Sequence, residues 1–147
     1  MIDLRIKLLD DGLTMPRYQH AGDAGLDLPS RVDLVIEPGE RAMVPTGIAV
    51  AIPDGYAGFV LPRSGLASRH GIALVNSPGL VDSGYRGEMS VVMINTDKRQ
   101  AFQIKRGDRI AQLVIQKVED VSITRVDELD ETSRGAGGFG STGSRER

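Results

Sequence analysis

The sequence contains no cysteine, and only two of its 147 residues are histidine. Without cysteine the chain has no disulfide framework, no thiolate nucleophile and no cysteine-based zinc site. The two histidines, His20 and His70, stand far apart and lack the paired spacing of metal ligands. A histidine-built metal site is therefore not expected.

The chain also lacks a strong charge of either sign and a long apolar run. Its net charge of -2 and pI near 5.7 do not indicate a nucleic-acid-binding protein, which usually has a basic excess. The first residues, Met1 to Arg5, lack the apolar core of a signal peptide, and no apolar run approaches the roughly 20 residues that span a bilayer. We therefore expect a soluble, cytoplasmic protein without a nucleic-acid or membrane partner. Its length suits one domain with a single core.

What the sequence does contain is a series of short apolar runs, several of which alternate with polar residues at the period of a β-strand. Strands are predicted at about 4–8, 32–36, 47–52, 56–61, 72–75, 89–94, 102–104, 110–118 and 122–126. The turn Pro53-Asp54-Gly55 predicts a hairpin between the runs 47–52 and 56–61. Many short strands with Gly and Pro turns favour an all-β sandwich, jelly roll or barrel. The only helix-like segment is Ser64 to Arg69.

A polar stretch from Asn76 to Met89 joins two of these strands in a predicted hairpin. It carries an amide at Asn76, a carboxylate at Asp82 and an aromatic ring at Tyr85, together with three glycines. Such a tip can hold a small polar aromatic ligand and provide acid–base chemistry. The alternative is an Asx turn, in which the Asp82 carboxylate binds the backbone near Ser83, and taken alone the hairpin favours this alternative.

Two further polar clusters lie in predicted turns nearer the N-terminus. The segment 21–28 carries Asp23 and Asp27, and turn chemistry is sufficient for Asp23. In Pro62-Arg63-Ser64-Gly65 a strand ends and the helical segment begins. This junction can offer backbone N–H groups, the Arg63 guanidinium and the Ser64 hydroxyl to an anion. The alternative for Ser64 is a plain N-cap, which the local sequence favours.

The segment 106–113 places the amide of Gln112 inside an apolar strand. Such an amide needs a partner, which is either a ligand phosphate or a neighbouring carbonyl. The adjacent Asp108 and Arg109 are also compatible with a simple surface ion pair.

The C-terminal segment 134–143 has a different composition, since five of the nine residues from 135 to 143 are glycine. It contains a formal G-x-G-x-x-G match, but no strand–helix unit of a dinucleotide site surrounds that match. It is not a Walker A loop either, because the lysine of that loop is absent. A flexible lid over a nucleotide and a disordered linker are both compatible with this composition.

Taken in order, the segments 21–28, 62–67, 79–88, 106–113 and 134–143 resemble the five motifs of the trimeric dUTP pyrophosphatases (dUTPases). The resemblance implies a β jelly-roll domain over 1–130 and a flexible arm over 131–147 that closes the active site. It also implies a homotrimer in which every active site uses motifs from three chains. The implied reaction is Mg²⁺-assisted hydrolysis of dUTP to dUMP and pyrophosphate, which keeps uracil out of DNA and supplies dUMP for dTMP synthesis.

The resemblance also implies roles for individual residues. Asp82 matches the carboxylate that activates water for attack on the α-phosphorus, and Asp27 matches a carboxylate near Mg²⁺, acting through water. Tyr85 matches the ring that packs on deoxyribose, and Phe139 the ring that closes over uracil. The implied substrate-binding residues are Arg63, Ser64, Gly65, Asn76, Leu80, Val81, Asp82, Tyr85, Ser90, Gln112, Arg134, Phe139, Gly140, Ser141 and Thr142.

Two other functions stay open at this point. A dCTP deaminase on a similar fold is one, and Glu88 near the hairpin is the residue that suggests it. A non-catalytic module that binds a nucleotide and a protein partner is the other. The pair Asp82 and Tyr85 favours the pyrophosphatase over the deaminase, and Asp82 together with the C-terminal segment favours it over the non-catalytic module.

Overall fold

The alternating apolar runs form β-strands in residues 1–143, the part of the chain that the computed structural model describes. The only helix among these residues has seven residues, so no helix there is long and apolar enough to cross a membrane. The elements are β1 (Arg5–Leu8), β2 (Leu26–Pro29), β3 (Leu34–Ile36), β4 (Arg41–Ala51), β5 (Tyr56–Leu61), α1 (Ser64–His70), β6 (Ile72–Leu74), β7 (Gly79–Val81), β8 (Glu88–Asn95), β9 (Phe102–Ile104) and β10 (Arg109–Lys117).

The strands pair antiparallel in two four-stranded sheets and one two-stranded sheet. The orders are β1-β4-β8-β6 and β2-β10-β5-β7, while β3 pairs with β9. Apolar side chains of both large sheets join in one buried core, in which Leu28, Val44, Met93 and Leu113 are at most 1% exposed. The prediction of an all-β fold is confirmed.

The predicted hairpin between 47–52 and 56–61 is wrong. The first run belongs to β4, which pairs with β1 and β8, whereas β5 pairs with β10 and β7 in the other sheet. The turn is formed as expected, with the N–H of Tyr56 donating to the carbonyl of Pro53 at 3.2 Å. A turn specifies a change of chain direction, but it does not specify the strand with which the next segment pairs.

Three other strand assignments also differ from the prediction. No strand forms over 122–126, where Ile123 is 91% exposed, because these residues have no pairing partner within the described residues, 1–143. The structure adds β2 and β7, which have four and three residues and lie in segments that read as loops. Both added strands carry residues of the candidate site.

The helix α1 places Arg63, Ser64 and Gly65 at the end of β5. Its N-cap is Arg63, in an extended conformation and without a side-chain capping bond, so the N-cap alternative for Ser64 is wrong. Ser64 is instead the first helical residue. The helix ends at His70, and the C-cap Gly71 has a positive φ of 64°, the left-handed conformation that glycine adopts readily.

After β10 the chain carries no further strand within the described residues. From Arg134 onward its backbone hydrogen bonds are local turns, such as Gly137 N–H to the carbonyl of Arg134 at 3.1 Å. The predicted arm, 131–147, begins in this part and its last four residues, 144–147, lie outside the described residues. The boundary at residue 130 stays a prediction.

Candidate active site

One cavity lies at the hairpin tip, where residues of β6 and β8 form part of its lining. These strands pair antiparallel, with Leu74 opposite Met93, as predicted for the two sides of the hairpin. The chain between them forms β7, which pairs with β5 on the other sheet. The cavity measures about 410 Å³, and its lining includes the predicted residues Asn76, Leu80, Val81, Asp82, Tyr85 and Ser90.

The Asp82 carboxylate at this cavity is free of protein partners within residues 1–143. The turn that follows is closed by the backbone alone, with the N–H of Tyr85 donating to the Asp82 carbonyl at 3.1 Å. The guanidinium of Arg86 donates to the carbonyls of Ser83 and Tyr85. The Asx-turn alternative for Asp82 is therefore wrong, and its carboxylate can accept a proton from a ligand or water.

The Tyr85 ring stands at the edge of the same cavity and is 46% exposed. Its hydroxyl donates to the carbonyl of Glu88 at 2.9 Å. The ring also packs on Gly87, where a Cβ would lie only 3.0 Å from its Cε2 atom. The ring position therefore depends on a backbone carbonyl and on the absence of a side chain at residue 87.

A second cavity of about 350 Å³ lies where β2, β10 and the β5–α1 corner meet. The register explains the meeting, because Gln112 in β10 faces Asp27 in β2 and Leu61 in β5. Its lining includes Asp27, Arg63, Ser64, Gly65, Arg109 and Gln112. Three of the five sequence motifs are thereby brought to one place.

The Asp27 carboxylate in this second cavity pairs with two arginines. One oxygen lies 3.2 Å from Nε of Arg63, and the other accepts a hydrogen bond from Nη1 of Arg109 at 3.1 Å. The surface ion pair between Asp108 and Arg109 is therefore wrong. The Asp108 carboxylate instead accepts the N–H of Lys105 at 2.9 Å.

The side-chain amide of Gln112 has a protein partner, a neighbouring carbonyl, which was the second of its two alternatives. Its Nε2 donates to the carbonyl of Pro62 at 2.9 Å, which ties β10 to the residue before Arg63. Its Oε1 approaches Gly25 so closely that a Cβ there would lie 2.5 Å away. Asp23 behaves as predicted for a turn, since its carboxylate accepts the N–H of His20 at 2.8 Å.

The acidic groups do not form a protein-only metal site. Within residues 1–143 no group of three or more His, Cys, Asp or Glu side chains is placed to hold an ion. Asp27 is the candidate, and both of its oxygens already pair with arginines. This donor set fits a contact to Mg²⁺ through water and a metal held mainly by ligand oxygens.

The arm residues of the prediction lie at neither cavity. The Nε of Arg134 donates to the carbonyl of Gly137 at 2.9 Å, and the Phe139 side chain is fully exposed, with a positive φ of 47°. The two cavities also share no lining residue. One chain therefore presents the predicted site residues in three separate groups.

Sequence reasoning missed the side-chain contacts of two residues in this region. Arg109 pairs with Asp27, which is 82 positions away, instead of with the adjacent Asp108. Glu88 lines the first cavity, but its Oε1 accepts hydrogen bonds from the Gly47 N–H at 2.8 Å and from Nη1 of Arg31 at 3.1 Å. No local pattern indicates either contact, because the partners are distant in sequence.

Comparison with known proteins identifies the family of the chain. The dUTPase family model matches residues 11–143. The deoxyuridine 5'-triphosphate nucleotidohydrolase of Thermobifida fusca is 59% identical over 142 residues, which cover 97% of this chain and 79% of that protein. The nucleotidohydrolase of the same name from Cutibacterium acnes is 57% identical over 129 residues, covering 88% of this chain and 85% of that protein.

Solved structures give the same assignment. A mutant dUTPase of Staphylococcus bacteriophage 80alpha with dUpNHpp has a TM-score of 0.90 and 31% identity, covering 97% of this chain and 99% of that one. A mutant dUTPase of S. aureus phage phi11, in which a structural Mg(II) ion is coordinated, has a TM-score of 0.80 and 30% identity, covering 86% and 98%. The family match and these identities show that the chain belongs to the dUTPase family, the hydrolases that convert dUTP to dUMP.

Proposed function

We propose that this chain hydrolyses dUTP by attack of water on the α-phosphorus, with Asp82 as the general base. The observation that carries this role is the free Asp82 carboxylate at the rim of a cavity of about 410 Å³. The carboxylate takes a proton from water as the new P–O bond forms. The bond from the α-phosphorus to the bridging oxygen breaks, and dUMP and pyrophosphate leave.

The edge strand β7 supports uracil as the base that this cavity binds. It ends the order β2-β10-β5-β7, so one of its edges carries backbone N–H and C=O groups that have no strand partner within residues 1–143. The side-chain amide of Asn76 adds a donor and an acceptor at the same wall. Together these groups can match the alternating donors and acceptors of a pyrimidine edge, with Ser90 as a further contact. A close backbone wall also excludes the additional methyl group of thymine by steric contact.

The sugar is assigned to Tyr85, at the edge of the cavity. A ring packed flat on deoxyribose leaves no room for a 2′-hydroxyl, which discriminates dUTP from UTP by repulsion. The hydroxyl bond to Glu88 keeps the ring from moving aside.

The phosphates are assigned to the second cavity and to the arm. Arg63, Ser64, Gly65 and Gln112 line the second cavity, and the arm carries Arg134, Gly140, Ser141 and Thr142. Guanidinium groups are suited to bind phosphate oxygens in pairs. Phe139 would stack on the uracil ring when the arm closes.

The separation of these three groups supports a homotrimer with shared active sites. A single chain places the base pocket, the phosphate cavity and the arm apart, so a complete site needs groups from more than one chain. The segment before the arm also exposes Val121, Ile123 and Leu129 to 76%, 91% and 84%, and burial against a second copy would remove this apolar surface from water. Light scattering should give a trimer, and a fully active monomer would contradict the shared site.

The proposed cofactor is Mg²⁺, with Asp27 contacting it through water. When bound, the ion neutralises phosphate charge and polarises the phosphoryl group. The side chains of Arg63 and Arg109 bring two further positive charges to the same cavity. A cytoplasmic location is proposed as well, since the substrate belongs to the pool of DNA precursors.

The contacts of Glu88 argue against a deaminase. Its carboxylate is committed to the Gly47 N–H and to Arg31 and is not available as an acid–base group in the pocket. The free carboxylate of Asp82 argues against a module that only binds nucleotide. Incubation with dUTP, dTTP and dCTP in the presence of Mg²⁺ tests the proposal. We expect dUMP and pyrophosphate from dUTP alone, and deamination of dCTP would contradict the proposed function.

A further inference from the structure

Glu88 connects the hairpin tip to the strand β4 through both its side chain and its backbone. Its Oε1 accepts hydrogen bonds from the Gly47 N–H at 2.8 Å and from Nη1 of Arg31 at 3.1 Å. Its carbonyl accepts the hydroxyl proton of Tyr85 at 2.9 Å. The same residue is therefore held on one side by the sheet and holds the Tyr85 ring on the other.

Gly47, the partner of Glu88 in β4, lies in an irregular part of that strand. The register between β4 and β8 shifts between Pro45 and Ala49, and Gly47 within this bulge has a φ of 71°. In such a bulge the ladder of backbone hydrogen bonds is interrupted, so the Gly47 N–H needs another acceptor. The Glu88 carboxylate is that acceptor.

A second bond at the bulge shows that this end of β8 is held at more than one point. The hydroxyl of Thr46 donates to the carbonyl of Met89 at 2.7 Å, and both residues are buried. Glu88 and Met89 are thus bound in succession by side-chain contacts across the bulge. The chain segment that carries Tyr85 runs directly into β8 at this point.

Arg31 fixes the carboxylate from a third segment. Its Nη2 donates to the carbonyl of Leu9 at 3.0 Å, while its backbone N–H donates to the carbonyl of Pro45 at 2.8 Å. The Glu88 side chain is only 26% exposed, so this pair is less screened by water than a surface pair. The carboxylate therefore has a defined place relative to β4.

We propose that Glu88 is a positioning residue for Tyr85 and thereby a determinant of the discrimination between deoxyribose and ribose. This rests on the proposed function, in which the Tyr85 ring packs on the sugar. The ring is about half exposed and is restrained chiefly by the Glu88 carbonyl and by Gly87. If the carboxylate anchor is lost, the Thr46 bond still holds Met89, but the Glu88 carbonyl before it can shift. The Tyr85 ring can then shift, which makes room for a 2′-hydroxyl on the sugar.

The test compares Glu88→Ala and Glu88→Gln with the wild type. Calorimetry measures the binding of the non-hydrolysable α,β-imido analogues of dUTP and of UTP to the full-length protein with Mg²⁺. We expect Glu88→Ala to lower the ratio of the two affinities by about tenfold, equivalent to about 1.4 kcal/mol. Glu88→Gln keeps an oxygen that can accept the Gly47 N–H, so it should restore most of the ratio.

The matched control is Glu37→Gln, at an exposed glutamate directly after β3. It should leave the ratio unchanged. Arg31→Ala removes one of the two partners of the Glu88 carboxylate and should give an intermediate ratio of the two affinities. This variant replaces Glu88→Ala in the test if Glu88→Ala does not fold. If these variants melt at lower temperature but keep the wild-type ratio, Glu88 only stabilises the fold and the inference is overturned.

The binding ratio also separates this inference from the proposed function. A wild-type protein that binds the dUTP analogue in preference to the UTP analogue but hydrolyses neither nucleotide would contradict the catalytic proposal and leave the Glu88 experiment valid. A wild-type protein without any preference between the two sugars would overturn the inference directly. Each outcome therefore identifies which of the two statements has failed.

Discussion

The Nε of Arg63 lies 3.2 Å from a carboxylate oxygen of Asp27, and this pair joins β2 to the corner between β5 and α1. Both side chains are less than one third exposed. The other Asp27 oxygen pairs with Arg109. The candidate metal contact thus lies between Arg63, which is proposed to bind phosphate, and Arg109.

Asp27→Asn is expected to raise the Mg²⁺ concentration required for half-maximal dUTP hydrolysis by about tenfold, in the range typical for an outer contact to a metal. The amide keeps the size of the side chain but not the negative charge that attracts the hydrated ion. The measurement is a Mg²⁺ titration of initial rates. Asp54→Asn, in the exposed turn after β4, is the control, because Asp54 does not line the second cavity. Identical titrations for Asp27→Asn and wild type would remove Asp27 from the metal site.

Asp82→Asn is expected to lose a factor of about 10² to 10⁴ in turnover while the protein still binds dUTP. The substitution removes the proton acceptor and keeps the volume of the side chain. Turnover is measured as pyrophosphate release, and binding by calorimetry with the imido analogue. Asp54→Asn, in the exposed turn after β4, is the control for a general effect of losing one aspartate. Turnover near the wild-type rate would show that another group is the base.

The pair Asp10 and Arg106 leads to a prediction about pH. A hydrogen bond from Arg106, together with one from the Gly12 N–H, lowers the pKa of Asp10 in the folded protein from its usual value of 3.8. An acid whose pKa is lower in the folded state than in the unfolded state stabilises the fold above the unfolded pKa. That contribution is lost as the pH falls through the folded pKa.

Asp10→Asn should therefore lower the melting temperature at pH 7, and the difference from wild type should shrink below about pH 4. Thermal denaturation between pH 3 and pH 7 measures this difference. Asp11→Asn, at the exposed neighbouring position, should show no such pH dependence. A wild-type advantage that stays constant down to pH 3 would show that the pair contributes through packing rather than through charge.

Local features of the sequence were sufficient for the hairpin between β6 and β8, whereas Leu80, Val81 and Ser90 in the lining of the first cavity were expected only from the resemblance to dUTPases. The glycines and Asp82 indicate a turn, and the apolar runs on either side indicate its two strands. The pairing of β4 and β5 in different sheets was not predictable in this way, because a sheet joins segments that are distant in sequence. The same reason applies to Glu88 and Gly47, which are 41 positions apart.

The failure of 122–126 to form a strand has a different physical cause. The segment carries the strand-favouring residues Ile123, Thr124 and Val126, but no strand lies beside it within residues 1–143. Such residues favour a surface that fits a sheet, and they do not state which chain supplies the sheet. The exposed apolar side chains there are consistent with the proposed trimer.

The arm is expected to be needed for turnover and dispensable for folding. Its hydrogen bonds from Arg134 onward are formed within the arm, and the Phe139 side chain is fully exposed. Truncation before Arg134 should leave the melting temperature nearly unchanged and greatly reduce hydrolysis. Ordering these residues costs roughly 1–2 kcal/mol each in backbone entropy, which only several contacts with bound substrate can offset. Phe139→Ala should weaken closure by about 1–3 kcal/mol, the range for stacking on a base.

A mixing experiment then determines whether the arm and Asp82 act in the same chain. Asp82→Asn and the truncated protein are each expected to be nearly inactive, and they are unfolded together and refolded as a mixture. If every site combines the arm of one chain with Asp82 of another, mixed trimers contain sites in which both parts are intact, and activity should return. Each variant refolded alone is the control. If trimers that are shown to be mixed regain no activity, the arm and Asp82 of each site come from one chain. If the truncated protein is as active as the full chain, the arm is only a linker.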